Sequence, residues 1–115
     1  MCGLFGLVSS GAEPTNLPPD LVAAARRRGV DSSGIVFFDG VRYNVRRADF
    51  DINKLLRHSG LGPLRFVAGH SRLITNGQGD NQPVLRDGIC LLHNGIIVNH
   101  LDLWEKTDRT RTLEI

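Results

Sequence analysis

The sequence predicts one small domain that mixes β-strands with helices, in an α/β or α+β arrangement. Its 115 residues, 41% of them hydrophobic, suffice for a single modest core. Short apolar runs of strand length are separated by segments that carry helix start and stop signals. The 13 glycines indicate tight turns and close backbone approaches between these elements.

Strands are predicted where short apolar runs end at turn residues. The second and third strands would form a hairpin through a two-residue turn, Asp39-Gly40. The predicted strands span Leu4 to Val8, Gly34 to Phe38, Val41 to Arg46, Leu64 to His70 and Gly88 to His93.

Helices are predicted from their end signals. Two prolines suit the first turn of the first helix, and Gly29 its C-terminal end. The side chain of Asp51 is expected to cap the second helix, which Gly60 ends. The predicted helices are Pro18 to Arg28, Ile52 to His58 and one within Ile97 to Lys106, with loops at Ser9 to Asn16 and Ser71 to Pro83.

Composition argues against several classes of protein. A formal charge of +2 is too near balance to indicate a nucleic acid or an anionic membrane as partner. The start lacks the basic region of a signal peptide, and no apolar stretch approaches the ~18 residues of a spanning helix. We therefore expect a cytoplasmic protein. The spacing of its cysteines and histidines matches no common metal site, and Cys90, mid-strand, is expected to be buried and inert.

Cys2, directly after the initiator methionine, is the most informative residue. If Met1 is removed, Cys2 carries both a thiol nucleophile and a free α-amino group, a base with a pKa of about 7.7–8.0. This pairing is the chemistry of N-terminal nucleophile (Ntn) hydrolases. The alternative is a small buried hydrophobic residue.

Three further segments carry polar groups at the ends of predicted elements. The first, Arg28–Gly34, also fits a helix stop and loop. The second, Gly69–Gly77, contains Arg72, whose planar fork suits a carboxylate, although a surface arginine is the alternative. The third, His93–Ile97, contains an Asn-Gly pair that can form either an oxyanion hole or a plain turn.

Taken in order, these segments resemble the class II glutamine amidotransferases. The likeness runs from Cys2 to about His100, and two segments look most like the branch of glutamine–fructose-6-phosphate amidotransferase. The matching segments are Met1–Gly6, Arg28–Gly34, Gly69–Arg72 and His93–Ile97.

The resemblance implies an α+β fold, the αββα sandwich of Ntn hydrolases. Residues 1–115 would be the N-terminal part of this glutaminase domain. The family's domain is longer and continues into an Asp-Thr-Glu motif, whose aspartate binds the α-amino group of glutamine. The plainest alignment places that aspartate just after Ile115.

The resemblance also implies a role for each matching residue. Cys2 would attack the side-chain amide of L-glutamine, while Asn94 and Gly95 would hold the oxyanion. Arg72 would bind the α-carboxylate of the substrate. The remaining substrate-site residues would be Thr75, Asn76 (where the family often has histidine), Arg28 and His93. No metal and no cofactor is implied.

The implied reaction yields glutamate and ammonia, and the ammonia would pass to a synthase domain or the remainder of the chain, with an amino-sugar type of acceptor. Two alternatives stay open. One is a truncated, catalytically inactive binding or assembly module, and the other is a γ-glutamyl amide hydrolase that transfers no ammonia. A homo-oligomer is also open, because a partial domain would leave apolar surface uncovered.

Overall fold

A computed structural model describes residues 2–74 and 81–107 of the chain. Its strands and helices confirm the α+β class, with antiparallel sheets. In chain order the elements are β1 (Gly3–Val8), α1 (Pro19–Arg26), β2 (Ser32–Phe38), β3 (Tyr43–Ala48), α2 (Ile52–Ser59), β4 (Phe66–Arg72), β5 (Val84–Arg86), β6 (Ile89–Leu91) and α3 (His100–Glu105).

The main sheet has four strands in the order β1-β4-β2-β3, and each neighbouring pair is antiparallel. Gly3 of β1 pairs with Ser71 near the end of β4, and Ser32 at the start of β2 pairs with Arg72. The starts of β1 and β2 therefore meet the end of β4. We call this end of the sheet its N-terminal end, because Cys2 lies there.

Helices α1 and α2 pack on one face of this sheet and form the core with it. Alternate residues of the strands point toward the helices, as the two-residue period of a strand requires. The buried apolar residues of this face and of the helices include Phe5, Ile35, Phe37, Val67, Val22, Ala25, Ile52 and Leu55. The opposite face is only partly covered, since Leu4 is 44% exposed and Val8 75% exposed.

The predicted cap of α2 is confirmed. The carboxylate of Asp51 accepts hydrogen bonds from the backbone N–H groups of Asn53 (2.9 Å) and Lys54 (3.4 Å). Gly60 ends the helix with a φ of 59°, in the left-handed region that glycine adopts readily. Asp51 also lies 3.5 Å from the guanidinium of Arg26, so the same side chain joins α2 to the end of α1.

The predicted two-residue hairpin turn is wrong. Phe38 pairs with Tyr43, so the turn contains four residues rather than two. The carboxylate of Asp39 accepts from the backbone N–H groups of Val41 and Arg42, both at 2.9 Å. These hydrogen bonds from Arg42 and Val41 lower the pKa of Asp39 to about 2. The side chain thus satisfies two of the turn's N–H groups and stabilises the longer loop.

The predicted burial of Cys90 is also wrong, because the residue is exposed. Strand β6 pairs with β5, a strand that the sequence did not predict, and together they form a separate two-stranded sheet. Ile89 and Leu91 are exposed as well. Apolar composition therefore did not mean burial here. The helix predicted within Ile97 to Lys106 is confirmed as α3. Smaller differences are that β2 begins two residues early and that β3 and β4 each begin and end two residues late.

No helix of the described residues is long and apolar enough to cross a membrane.

His70 is a buried histidine on the opposite face of the sheet. It is 1% exposed, and its Nε2 atom has no hydrogen-bond partner among the described residues. Burial lowers the pKa of His70 from 6.5 to about 4, and the charges of Arg72 and His93 act in the same direction. The folded protein therefore holds this ring in the neutral form.

Replacing Gly69 with alanine should destabilise the fold. Phe5 of β1 pairs with Gly69, and a Cβ at Gly69 would overlap its ring. Such overpacking costs about 1–3 kcal/mol. Gly6→Ala is the matched control, because a Cβ there meets only the carbonyl oxygen of Val67 at 3.8 Å. Urea unfolding should show a lower midpoint for Gly69→Ala only. Equal midpoints for both variants would contradict this account of the packing.

Stability should also fall in mild acid because of His70. The unfolded chain takes up a proton near pH 6.5 but the folded chain only near pH 4, so the free energy of unfolding drops as pH falls through that window. The full loss from this residue is about 3 kcal/mol. Urea titrations between these pH values should show a steeper decline for the wild type than for His70→Gln. Parallel declines would show that His70 does not titrate as described.

Candidate active site

A hydrogen bond joins Cys2 to Asn94 at the N-terminal end of the sheet. The backbone nitrogen of Cys2 donates to Oδ1 of Asn94 at 3.2 Å, across 92 residues of sequence. Cys2 is half-buried, whereas Asn94 is exposed. Because Oδ1 is the acceptor, the Nδ2 group is the donor end of the same side chain. The amide of Asn94 therefore lies against the residue that carries the thiol.

The carbonyl group of Cys2 is held from the other side. Nε of Arg28, just beyond the end of α1, donates to the carbonyl oxygen of Cys2 at 3.1 Å. The start of β1 lies directly on the end of that helix, because a Cβ at Gly3 would overlap the backbone of Ala25. Arg28 and Asn94 together fix the backbone of Cys2 at both of its polar groups.

The segment after α1 lies against the end of β4. The hydroxyl of Ser71 donates to the carbonyl oxygen of Gly29 at 2.6 Å, and the N–H of Asp31 donates to that of Arg72 at 2.9 Å. The carboxylate of Asp31 accepts from the N–H of Ile74 at 2.7 Å. A Cβ at Gly29 would overlap the backbone of Arg72, so only glycine permits this approach.

Arg72 lies beside Cys2. It is the last residue of β4 and is half-buried. Gly3 pairs with Ser71, so the residue before Gly3 is placed next to the residue after Ser71. A guanidinium in this position can bind a carboxylate close to the thiol. By the two-residue period of the strand, Arg72 shares a face with the buried His70.

Gln82 is a contact residue of this site that the sequence analysis missed. Its Oε1 accepts from the backbone N–H of His93 at 2.6 Å, and its Nε2 donates to the carbonyl oxygen of His93 at 3.0 Å. The only local signal was its place before Pro83, within a stretch interpreted as loop. Its partner, His93, directly precedes Asn94.

The structure thus places five of the predicted site residues near one another along these contacts: Cys2, Arg28, Arg72, His93 and Asn94. Gly95 follows Asn94 in the same exposed turn. Thr75 and Asn76 lie outside the described residues, so their predicted role in the pocket stays a prediction. Within residues 2–74 and 81–107, no group of three or more His, Cys, Asp or Glu side chains could hold a metal ion.

No protein-family model matches the chain. It is, however, similar to glutamine–fructose-6-phosphate aminotransferases (isomerizing) of several bacteria. The Agrobacterium fabrum protein is 36% identical over 117 aligned positions, which cover 92% of this chain and 18% of that protein. The Bradyrhizobium diazoefficiens protein is 31% identical over 121 positions, covering 98% of this chain and 19% of that protein.

The protein of Xanthomonas campestris pv. campestris gives a similar result, with 33% identity over 116 positions that cover 92% of this chain and 18% of that protein. The chain spans about a fifth of the length of the curated relatives it matches. These relatives are enzymes with a glutamine amidotransferase domain. The chain is therefore a homologue of the glutamine–fructose-6-phosphate aminotransferases over their N-terminal glutaminase domain, as its motifs predict.

Proposed function

We propose that this chain carries the glutamine-hydrolysing site of a glutamine amidotransferase, with Cys2 as the nucleophile once Met1 has been removed. The observation that supports this most directly is the 3.2 Å hydrogen bond between the nitrogen of Cys2 and Oδ1 of Asn94. It joins a residue that can supply both thiol and amine to an Asn-Gly turn with two N–H donors for an oxyanion.

In the first half of the proposed reaction, the thiol of Cys2 gives its proton to its own α-amino group. The sulfur then forms a bond to the side-chain carbonyl carbon of glutamine, and the carbonyl electrons move onto oxygen. Nδ2 of Asn94 and the N–H of Gly95 would stabilise that negative charge. The α-ammonium group then protonates the amide nitrogen, the carbon–nitrogen bond breaks, and ammonia leaves a γ-glutamyl thioester on Cys2.

In the second half, water hydrolyses the thioester. As the water oxygen forms a bond to the thioester carbon, the α-amino group takes a proton from that water. The same two donors, from Asn94 and Gly95, would hold the second oxyanion. The carbon–sulfur bond then breaks, the leaving sulfur recovers the proton, and glutamate is released with the free thiol restored.

Substrate orientation is proposed to depend on Arg72. A bidentate pair between its guanidinium and the α-carboxylate of glutamine would place the side-chain amide toward Cys2. Arg28 would support the site through its bond to the carbonyl oxygen of Cys2. Thr75, Asn76 and His93 are proposed to line the pocket.

The proposed fold is the Ntn-type αββα sandwich, of which this chain would form the N-terminal part. Support comes from the main sheet, which has helices on one face and an incompletely covered opposite face. Exposed apolar residues also follow β6, with Ile96 and Val98 each 89% exposed. Such surface is expected where further chain packs. The ammonia acceptor, an amino-sugar precursor in this proposal, would bind in a synthase part that corresponds to the rest of the relatives' length.

Labelling with a glutamine-like electrophile tests the nucleophile. We expect intact-mass analysis to show loss of Met1 and a single adduct after treatment with diazo-oxo-norleucine, because the reagent should react at Cys2. Cys2→Ala should give no adduct. Cys90→Ser is the matched control, because it removes the exposed thiol of the separate sheet. It should label like the wild type if the adduct forms at Cys2.

Retention of Met1, or a folded wild type that forms no adduct, would overturn the proposal and favour the inactive binding module. Ammonia release from glutamine would support the proposed reaction. A strong preference for larger γ-glutamyl amides would instead favour the amide hydrolase.

Replacing Arg72 with lysine tests substrate orientation. Loss of the bidentate pair should raise KM for glutamine about 10- to 100-fold, since hydrogen bonds between charged groups contribute about 1.5–3 kcal/mol. Steady-state ammonia release is the measurement. Hydrolysis of an analogue without the α-carboxylate should be the same in both proteins, and the exposed Arg27→Lys should behave as wild type. An equal loss with both substrates would refute a carboxylate-binding role.

A further inference from the structure

The side chain of Gln82 pairs with both backbone polar groups of His93. Its Oε1 accepts from the N–H at 2.6 Å, and its Nε2 donates to the carbonyl oxygen at 3.0 Å. A carboxamide offers the same donor and acceptor as a peptide group. Gln82 thus makes with His93 the two bonds that facing residues exchange in a hydrogen-bonded antiparallel pair.

Gln82 is itself attached to the main sheet. Its carbonyl oxygen lies so close to Gly34 of β2 that a Cβ at Gly34 would overlap it. The next residue, Pro83, is among the fully buried side chains. On the other side, Nδ2 of Asn81 donates to the carboxylate of Asp49, just after β3, at 2.6 Å. The backbone of Gln82 is therefore fixed to the N-terminal end of the sheet.

The segment that Gln82 holds has no strand or helix of its own. His93, Asn94 and Gly95 are exposed and follow the end of β6. Among the described residues, hydrogen bonds of two side chains join this segment to the rest of the site: Gln82 bonds to the backbone of His93, and Asn94 bonds to the nitrogen of Cys2. An exposed turn held in this way depends on each contact for its position.

We propose that Gln82 is a positioning residue for glutamine hydrolysis, acting through the backbone of His93. Its carboxamide fixes the turn so that the donors of Asn94 and Gly95 stay at the distance from Cys2 that an oxyanion requires. Such donors act only when they are correctly placed in advance. Gln82 touches no reacting atom. This inference rests on the proposed function of Cys2.

Gln82→Glu is the sharpest test, because it preserves shape and removes the donor. When ionised, the introduced carboxylate accepts from the N–H of His93 but opposes its carbonyl oxygen, whereas the protonated form regains the donor. We expect kcat at about pH 8 to fall about 10- to 100-fold with KM little changed. The ratio of variant to wild-type kcat should begin to recover as the pH is lowered toward about 4.5, near the reference pKa of a glutamic acid side chain.

Two controls accompany this variant. Gln82→Leu loses both bonds and should show no recovery in acid. Asn53→Asp makes the same change of charge at an exposed position on α2, outside the hydrogen bonds that build the site, and should leave kcat unchanged. The charged and titratable groups described near Gln82 include His93, the two residues that pair with Gly34 from either side (His70 and Arg47), and Asp49 beside Asn81. The wild type carries all of them, so the ratio isolates the introduced carboxyl group.

Amide hydrogen exchange tests the contact without any catalysis. The N–H of His93 should exchange at least about tenfold faster in Gln82→Leu than in the wild type, since its acceptor is lost. Unchanged exchange would overturn the contact itself. Faster exchange with unchanged kcat, or with a pH-independent loss in Gln82→Glu, would overturn the positioning role. A wild type that hydrolyses no glutamine would instead overturn the proposed function, and with it the catalytic part of this inference.

Discussion

Direct backbone contact at one end of the main sheet is the constraint on which the candidate site depends. The start of β1 lies on the end of α1 at Gly3, the segment after α1 lies on β4 at Gly29, and the loop before β5 lies on β2 at Gly34. At each position a single methyl group would overlap the facing backbone. Three separate stretches of chain can therefore converge within a short distance of Cys2.

Antiparallel pairing gives this convergence its direction. The central strand β4 runs toward the N-terminal end, while β1 and β2 start there. Cys2, Arg72 at the end of β4 and the polar segment before β2 therefore all lie at the N-terminal end of the sheet. Asn94, the proposed side-chain donor to the oxyanion, lies outside the main sheet. Its own hydrogen bond to Cys2 and the bonds of Gln82 to His93 hold it at this end.

Local signals in the sequence predicted the features that depend on neighbouring residues. The cap at Asp51 and the helix end at Gly60 are of this kind, since both are satisfied within one turn of helix. The order of the motifs, through the resemblance, also assigned Cys2 and Asn94 to one predicted site, and the structure joins these two residues by a hydrogen bond. The turn at Asp39 was predicted in the right place but too short, because the Asp39 side chain accepts from two N–H groups of a four-residue turn and so stabilises the longer form. Gln82 was missed because its partner lies eleven residues away and no pattern links them.

The hydrogen bond from Cys2 to Asn94 has a consequence for maturation. A peptide nitrogen and an α-amino nitrogen can both donate to Oδ1, so the bond does not require a free N-terminus. The chain can fold around an unprocessed Cys2 and hold its nitrogen in place. Removal of Met1, as proposed, would then convert that nitrogen from a non-basic amide into a base. In the proposed enzyme, activation would be a change of chemistry at a fixed atom, with no rearrangement of the fold.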